Sequence, residues 1–185
     1  MAQRQSQFFK DYDLEEYVDE QGQVRQRYAY RGDLFERALP EARQRTERAA
    51  EVLGAVLGGG LYLLAATRDT PANKSGFFGV LSILALVPVL CVLVGACVAC
   101  FRKGKLTRRD YIERRILLLT MSLAAAACLL VLAAGYAVHG AWLALGAALA
   151  AAALYAAVGV REIRVGYIVH PGAKAPASDA DDRLS

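Results

Sequence analysis

The residues with the most obvious chemical potential in this sequence are Cys97 and Cys100, which stand in the order CVAC. Two thiols at this spacing can form a reversible disulfide, as a membrane thiol-disulfide enzyme would require. Residues three apart share a helix face, so the spacing also arises easily without a redox role. The other two cysteines, Cys91 and Cys128, are single. We therefore expect all four to be small apolar residues within helices.

Other ionisable side chains are sparse in the apolar part of the chain. Glu51, at the edge of the first apolar segment, is the acidic residue that a proton-coupled transporter would use. His139 and His170 lie in segments that we expect on opposite sides of a membrane, where they cannot share a metal ion within one chain. We predict a non-enzymatic protein, with no catalytic residue, no metal site and no cofactor.

Four long apolar segments dominate the chain, and they must position any site. Hydrophobic residues make up 56% of the 185 positions. The four segments are residues 49–67, 77–101, 116–138 and 141–160. A helix of about 20 residues crosses a hydrocarbon core, so the last three are long enough. The first is marginal, because Glu51 must lie at the interface and three successive glycines from Gly58 weaken the helix. The predicted fold class is an all-α polytopic membrane protein with four transmembrane helices and a small cytosolic N-terminal β-hairpin.

Basic residues flank these segments asymmetrically. With four spans, fifteen basic residues within about 20 positions of the helix ends lie on the side of both termini and of the loop between segments two and three, against only Arg68 and Lys74 on the other side. Because Lys and Arg favour the cytoplasmic side, both termini are predicted there. The early sequence lacks the apolar stretch of a signal peptide. Reduced thiols are the norm in that compartment, which further weakens a disulfide between Cys97 and Cys100.

The loop between the second and third segments is the most basic part of the chain. We predict that it fixes the orientation of the flanking helices and contacts anionic lipid headgroups of the bilayer. The predicted residues are Arg102, Lys103, Lys105, Arg108, Arg109, Arg114 and Arg115. The prevalence of Arg over Lys and the abundance of Ala favour a bacterial protein of the inner (plasma) membrane.

Small residues in the apolar segments are spaced for close helix packing. Gly54 and Gly58 form a GxxxG pattern in the first segment, and Gly95 and Ala99 repeat the spacing in the second. Small side chains at this spacing let two helix backbones approach. We expect Gly54, Gly58 and Gly95 at contacts within one bundle, with a dimer interface as the alternative.

The polar ends divide the chain into three parts: a cytosolic N-terminal segment at 1–48, the helix bundle at 49–160, and a C-terminal strand with a disordered tail at 161–185. Alternating apolar residues around a Gln21-Gly22 turn predict a β-hairpin within 16–30. The alternation of residues 163–169 predicts a strand that joins this hairpin in one small sheet. Residues 33–52 are predicted to be helical and continuous with the first span.

These features favour a non-enzymatic subunit or scaffold of the membrane. Its cytosolic N-terminal segment would contact a membrane or cytosolic protein, and no recognisable nucleic-acid-binding fold is present. A small oligomeric transporter or channel is the alternative. A membrane thiol-disulfide enzyme using Cys97 and Cys100 is a third interpretation, with less support.

Overall fold

The chain forms two units, each built from separate stretches of sequence. The computed structural model describes residues 11–19, 21–101 and 104–172. The first unit comprises Met1–Glu36, Lys105–Tyr111 and Tyr167–Ser185, and the second comprises Arg37–Gly104 and Ile112–Gly166. The predicted tail lies outside the described residues from 173 onward.

Helices make up most of the second unit, and the helix that begins at Arg108 has its first residues in the first unit. Their bounds are α1 Glu41–Ala66, α2 Pro71–Lys74, α3 Gly76–Phe101, α4 Arg108–Arg115, α5 Met121–Val138 and α6 Trp142–Arg164, with a π-helical turn at Ile116–Thr120 between α4 and α5. Because α4 continues through the π turn into α5, the described residues contain four helices long and apolar enough to cross a membrane. The structure thus confirms four helices of transmembrane length and a small N-terminal hairpin.

The helices extend beyond the apolar segments at their charged ends. The first long helix begins at Glu41 rather than at residue 49. The third begins at Arg108 rather than at residue 116, and the last continues to Arg164 rather than ending at residue 160. Arg, Glu and Gln are good helix formers, whereas hydropathy marks where lipid would begin. Helix bounds therefore cannot be read from hydropathy alone.

Small residues lie where the helices come closest. α6 packs against both α1 and α5, and α3 packs against the same two helices. A Cβ added at Gly58 would lie 3.0 Å from the Tyr155 ring, one at Gly54 would lie 3.0 Å from Val158, and one at Gly95 only 2.8 Å from Leu117 Cβ. All three glycines predicted to serve packing thus face a neighbouring helix.

A single asparagine links helices by hydrogen bonds at one end of the bundle. Asn73, in α2, donates its amide hydrogens to three backbone oxygens at the end of α1, those of Ala65, Ala66 and Arg68, at 2.8–3.2 Å. The amide oxygen of Asn73 accepts a hydrogen bond from Tyr136 Oη at 2.8 Å. Carbonyl oxygens in the last turn of a helix lack intrahelical donors. The Asn73 side chain supplies donors at this end of α1, and its hydrogen bond with Tyr136 links α1 to α5.

The first unit contains two small sheets rather than the single sheet that we predicted. Strands β1 Tyr12–Val18 and β2 Val24–Tyr30 form the antiparallel hairpin. The other sheet has the order β4-β3-β5, from Leu106–Thr107, Leu34–Arg37 and Tyr167–His170. The C-terminal strand therefore pairs with β3 and not with the hairpin.

The prediction of helix from Asp33 onward was wrong for residues 34–37, which are strand β3. Leu34 and Phe35 lie opposite Thr107 and Leu106 of β4. Phe35 stacks on Tyr111 at 4.4 Å between ring centroids. These partners are distant in sequence, and they outweigh a weak local helix preference.

The packing of Gly95 generates a stability prediction. Gly95→Ala should lower the free energy of unfolding by about 1–3 kcal/mol, because its Cβ would overlap Leu117 and force the backbones apart. Gly146→Ala is the matched control: nothing lies within 4 Å of its added Cβ, so the better helix former should be neutral or stabilising. Thermal unfolding in detergent measures both, and equal effects would contradict the packing role of Gly95.

Candidate functional site: a buried charge cluster

Four charged side chains meet inside the second unit, at the end opposite Asn73. They are Arg37, Glu51, Arg114 and Glu162, called the charge cluster below. Both carboxylate side chains are 1% exposed, and the Arg37 and Arg114 side chains are 3% and 8% exposed. Charged residues are almost never buried this completely unless they are paired.

The ion pairs of the cluster form a closed ring. Arg37 Nη2 donates to Glu51 Oε1 at 2.6 Å and to Glu162 Oε2 at 3.0 Å. Arg114 Nη2 donates to Glu51 Oε2 at 3.2 Å, and its Nε lies 3.8 Å from Glu162 Oε1. Each carboxylate thus bridges two guanidinium groups, and each guanidinium group bridges two carboxylates.

Four different elements supply the ring. Arg37 is the last residue of β3, Glu51 lies in α1, Arg114 in α4, and Glu162 in the last turn of α6. Gln44 Nε2 donates to Leu39 O at 2.8 Å, which holds the connection between Arg37 and α1 in place. The cluster can therefore form only when residues more than a hundred positions apart are brought together.

The two positive and two negative charges of the cluster cancel, which limits the chemistry that its carboxylates can perform. Guanidinium groups stay protonated at any ordinary pH, and each carboxylate of the cluster lies between two of them. A carboxylate fixed between two such cations is poorly suited to bind a further cation. The arrangement is suited to hold α1, α4 and α6 in one fixed relation.

Three other buried hydroxyl groups of the helices donate hydrogen bonds to backbone carbonyl oxygens. Tyr62 Oη donates to Ser82 O at 2.6 Å, and Tyr155 Oη donates to Ala55 O at 3.3 Å. Ser122 Oγ donates to Leu118 O, four residues earlier in the same helix. In the described part of the bundle these side chains form local contacts with backbone rather than a chain of polar groups leading across it.

The structure separates the basic residues that the sequence grouped together. Arg114 turns inward and belongs to the charge cluster, whereas Lys105, Arg108, Arg109 and Arg115 are exposed. Arg102 and Lys103 lie outside the described residues. The helical spacing explains the difference within α4, since Arg115 is rotated by about 100° and Arg108 by about 120° around the helix axis from Arg114.

Sequence reasoning identified Glu51 as an acidic candidate at the edge of the first apolar segment, counted Arg37 only among the basic residues that set the orientation, and did not single out Glu162. The structure buries Glu51 against two guanidinium groups. One signal was available: the carboxylate of Glu162 lies between Arg161 and Arg164 immediately after an apolar segment. Its partners could not be inferred, because they belong to distant elements.

The remaining candidate residues lie apart from the cluster. Cys97 and Cys100 are free thiols near the end of α3, with Cys97 exposed. His170 Nε2 lies 3.0 Å from Glu36 Oε2 in the first unit. Within residues 11–19, 21–101 and 104–172, no three His, Cys, Asp or Glu side chains are grouped so as to hold a metal ion.

Comparison of the chain with protein-family models, with curated proteins and with solved structures finds no match. Its function is therefore argued from its own residues.

The cluster generates a stability prediction. Glu51→Gln should lower the free energy of unfolding by about 3–5 kcal/mol, because it leaves two guanidinium groups buried with too little negative charge. Glu41→Gln is the matched control, since Glu41 forms an exposed pair with Arg45 at 2.8 Å and such pairs contribute about 0–1 kcal/mol.

A double-mutant cycle tests whether the ring acts as one unit. Adding Arg114→Gln to Glu51→Gln should cost less than the sum of the two single changes, since each removes the partner of the other. Thermal unfolding of the four proteins in detergent measures the coupling. Additive losses would show that the two residues contribute independently.

Proposed function

We propose that this chain is a multi-pass protein of the bacterial inner (plasma) membrane, with both termini in the cytoplasm. Four helices of sufficient length and hydropathy support this location. So do their outward faces: on α3, for example, Val80, Ile83 and Val87 are 58–70% exposed. Lipid removes the cost of exposing such side chains, whereas water does not.

The orientation rests on the asymmetry of the basic residues. Lys105, Arg108, Arg109 and Arg115 are exposed, and they follow the end of α3 in the chain. Both polypeptide ends belong to the same side of the membrane as these residues if all four helices cross. Basic residues are retained on the cytoplasmic side.

Within the membrane we propose that the protein is a non-enzymatic subunit or scaffold that binds a partner protein through its β-hairpin. One observation carries this proposal: two exposed apolar pairs on one face of the hairpin, with the hydrogen-bonded Glu16–Gln26 pair between them. The register sets Leu14 opposite Tyr28 and Val18 opposite Val24. Residues directly opposite share a face, and these four are each 51–70% exposed.

The other hairpin face differs in character. Arg25 pairs with Asp19 at 2.7 Å, and the Arg27 guanidinium carbon lies 5.4 Å from the centre of the Tyr17 ring. A two-stranded hairpin is marginally stable alone, and large apolar side chains exposed together on one face commonly mark an interaction site. A partner that covers Leu14, Val18, Val24 and Tyr28 would stabilise the hairpin.

The charge cluster supports a scaffold over a transporter. Glu51, the carboxylate that transport would require, is held by two guanidinium groups. We propose that its role is to hold the helices in a fixed arrangement at the cytoplasmic end.

Membrane location and orientation can be tested in cells. The protein should remain in the membrane fraction after alkaline carbonate extraction. Tags at the amino terminus and beside Lys105 should be protected from an added protease in intact spheroplasts and cleaved in inverted vesicles. Release by carbonate would contradict insertion, and cleavage in spheroplasts would contradict the orientation.

Partner binding is tested by site-specific cross-linking. A photoreactive residue at Tyr28 should capture a protein in living cells, whereas the same residue at Arg27, on the opposite face, should not. Val24→Thr with Tyr28→Thr keeps strand preference but removes apolar surface, so it should abolish co-purification without changing thermal unfolding. Equal capture from both faces, or co-purification that survives the double change, would contradict the proposal.

A further inference from the structure

A basic cavity lies between the first turns of α1 and the last turn of α6. Its volume is about 250 Å³, and it is lined by Leu39, Arg43, Glu47, Arg161, Arg164 and Val165. All six residues belong to the second unit. The cavity is distinct from the charge cluster, none of whose residues lines it.

The cavity carries a surplus of positive charge. Three guanidinium groups face one carboxylate, and the nearest pair, Arg161 Nη1 to Glu47 Oε2, is long at 3.9 Å. Within the described part of the chain, neither Arg43 nor Arg164 has an ion-pair partner. Arg43 also lies in the first turn of α1, where the positive end of the helix dipole gives an arginine no stabilisation. A single anion bound in the cavity would offset the excess positive charge of Arg43, Arg161 and Arg164.

The lining determines which anion fits. Guanidinium groups bind phosphate oxygens through paired hydrogen bonds. The volume is slightly below the range of about 300–1,000 Å³ usual for drug-sized ligands, which favours a single phosphate group over a nucleotide. Leu39 and Val165 add apolar wall, which a free inorganic ion does not require.

We propose that this cavity binds the phosphate group of an anionic phospholipid. Arg43, Arg161 and Arg164 would hold the phosphate, and Leu39 and Val165 would contact the glycerol and the first carbons of the acyl chains. The cavity borders the apolar segments at 49 and 160, which is the depth of lipid headgroups. Basic pockets between transmembrane helices on this side are a known mode of headgroup binding. The lipid source rests on the membrane location proposed above.

The test is a titration of the detergent-solubilised protein with phosphatidylglycerol, with phosphatidylcholine, and with inorganic phosphate, followed by thermal unfolding. Phosphatidylglycerol should raise the unfolding temperature. Phosphatidylcholine should not, because its phosphate is accompanied by a quaternary ammonium group that the surplus of guanidinium charge repels. Arg43→Gln and Arg164→Gln should each weaken the apparent affinity about tenfold, because each removes one charged hydrogen-bonding partner. Glu47→Gln should bind at least as tightly as the unmodified protein, since it removes the opposing charge.

Arg45→Gln is the matched control. It removes the same charge from the same helix, but Arg45 pairs with Glu41 and does not line the cavity. If Arg45→Gln weakens binding as much as Arg43→Gln, attraction is diffuse and the site is overturned. Equal stabilisation by the two lipids also overturns it. Because the variant positions Arg43 and Arg164 are exposed, loss of folding is not expected, and the Glu47→Gln result is opposite in sign to any general destabilisation.

The inorganic phosphate arm separates the two sources of phosphate. Stabilisation by both phosphate and phosphatidylglycerol, lost together in the arginine variants, supports recognition of the phosphate group itself. Stabilisation by the lipid alone supports recognition of the complete headgroup, and stabilisation by phosphate alone overturns the lipid source. If carbonate extracts the protein from membranes but the protein still binds inorganic phosphate, the proposed membrane location is contradicted and the proposed phosphate site is not. A protein that resists extraction but ignores phosphatidylglycerol contradicts only the cavity.

Discussion

Burial of charge is the constraint on which the bundle depends. Removing an isolated carboxylate or guanidinium group from water costs several kcal/mol even after relaxation. Glu51 and Glu162 meet this cost by sharing Arg37 and Arg114 in a closed ring. Such a ring stabilises little relative to an apolar core, but it is highly specific, because each change of helix position leaves a charge unmatched. The cluster therefore determines the relative positions of α1, α4 and α6.

At the opposite end of the bundle polar groups are also paired with one another, but there they are uncharged. Asn73 satisfies three backbone oxygens at the end of α1, and Tyr136 satisfies Asn73. Between the two ends, packing depends on small residues such as Gly58 and Gly95, which let the helix backbones approach closely. Ion pairs and hydrogen bonds thus specify the arrangement of the helices at both ends of the bundle, and close packing of the helices maintains it between the ends.

Charge is distributed differently on the surface and in the interior. The cluster is neutral and inaccessible, which suits a fixed structural role. The cavity beside α1 and α6 holds an excess of guanidinium groups, and the hairpin presents an apolar face. Our proposals assign lipid to the first surface and protein to the second, since these are the partners that each surface chemistry favours.

Local composition determined much of this protein. Four apolar segments of sufficient length determined four long helices, and alternation around Gly22 determined the hairpin, because both patterns depend on near neighbours. Tertiary structure alone decided the rest. Arg114 reads as one more basic loop residue, and Leu34–Arg37 reads as helix, until α1, α6 and β4 are placed beside them. The charge cluster joins residues up to 125 positions apart, and no local pattern records which distant partner neutralises a buried charge.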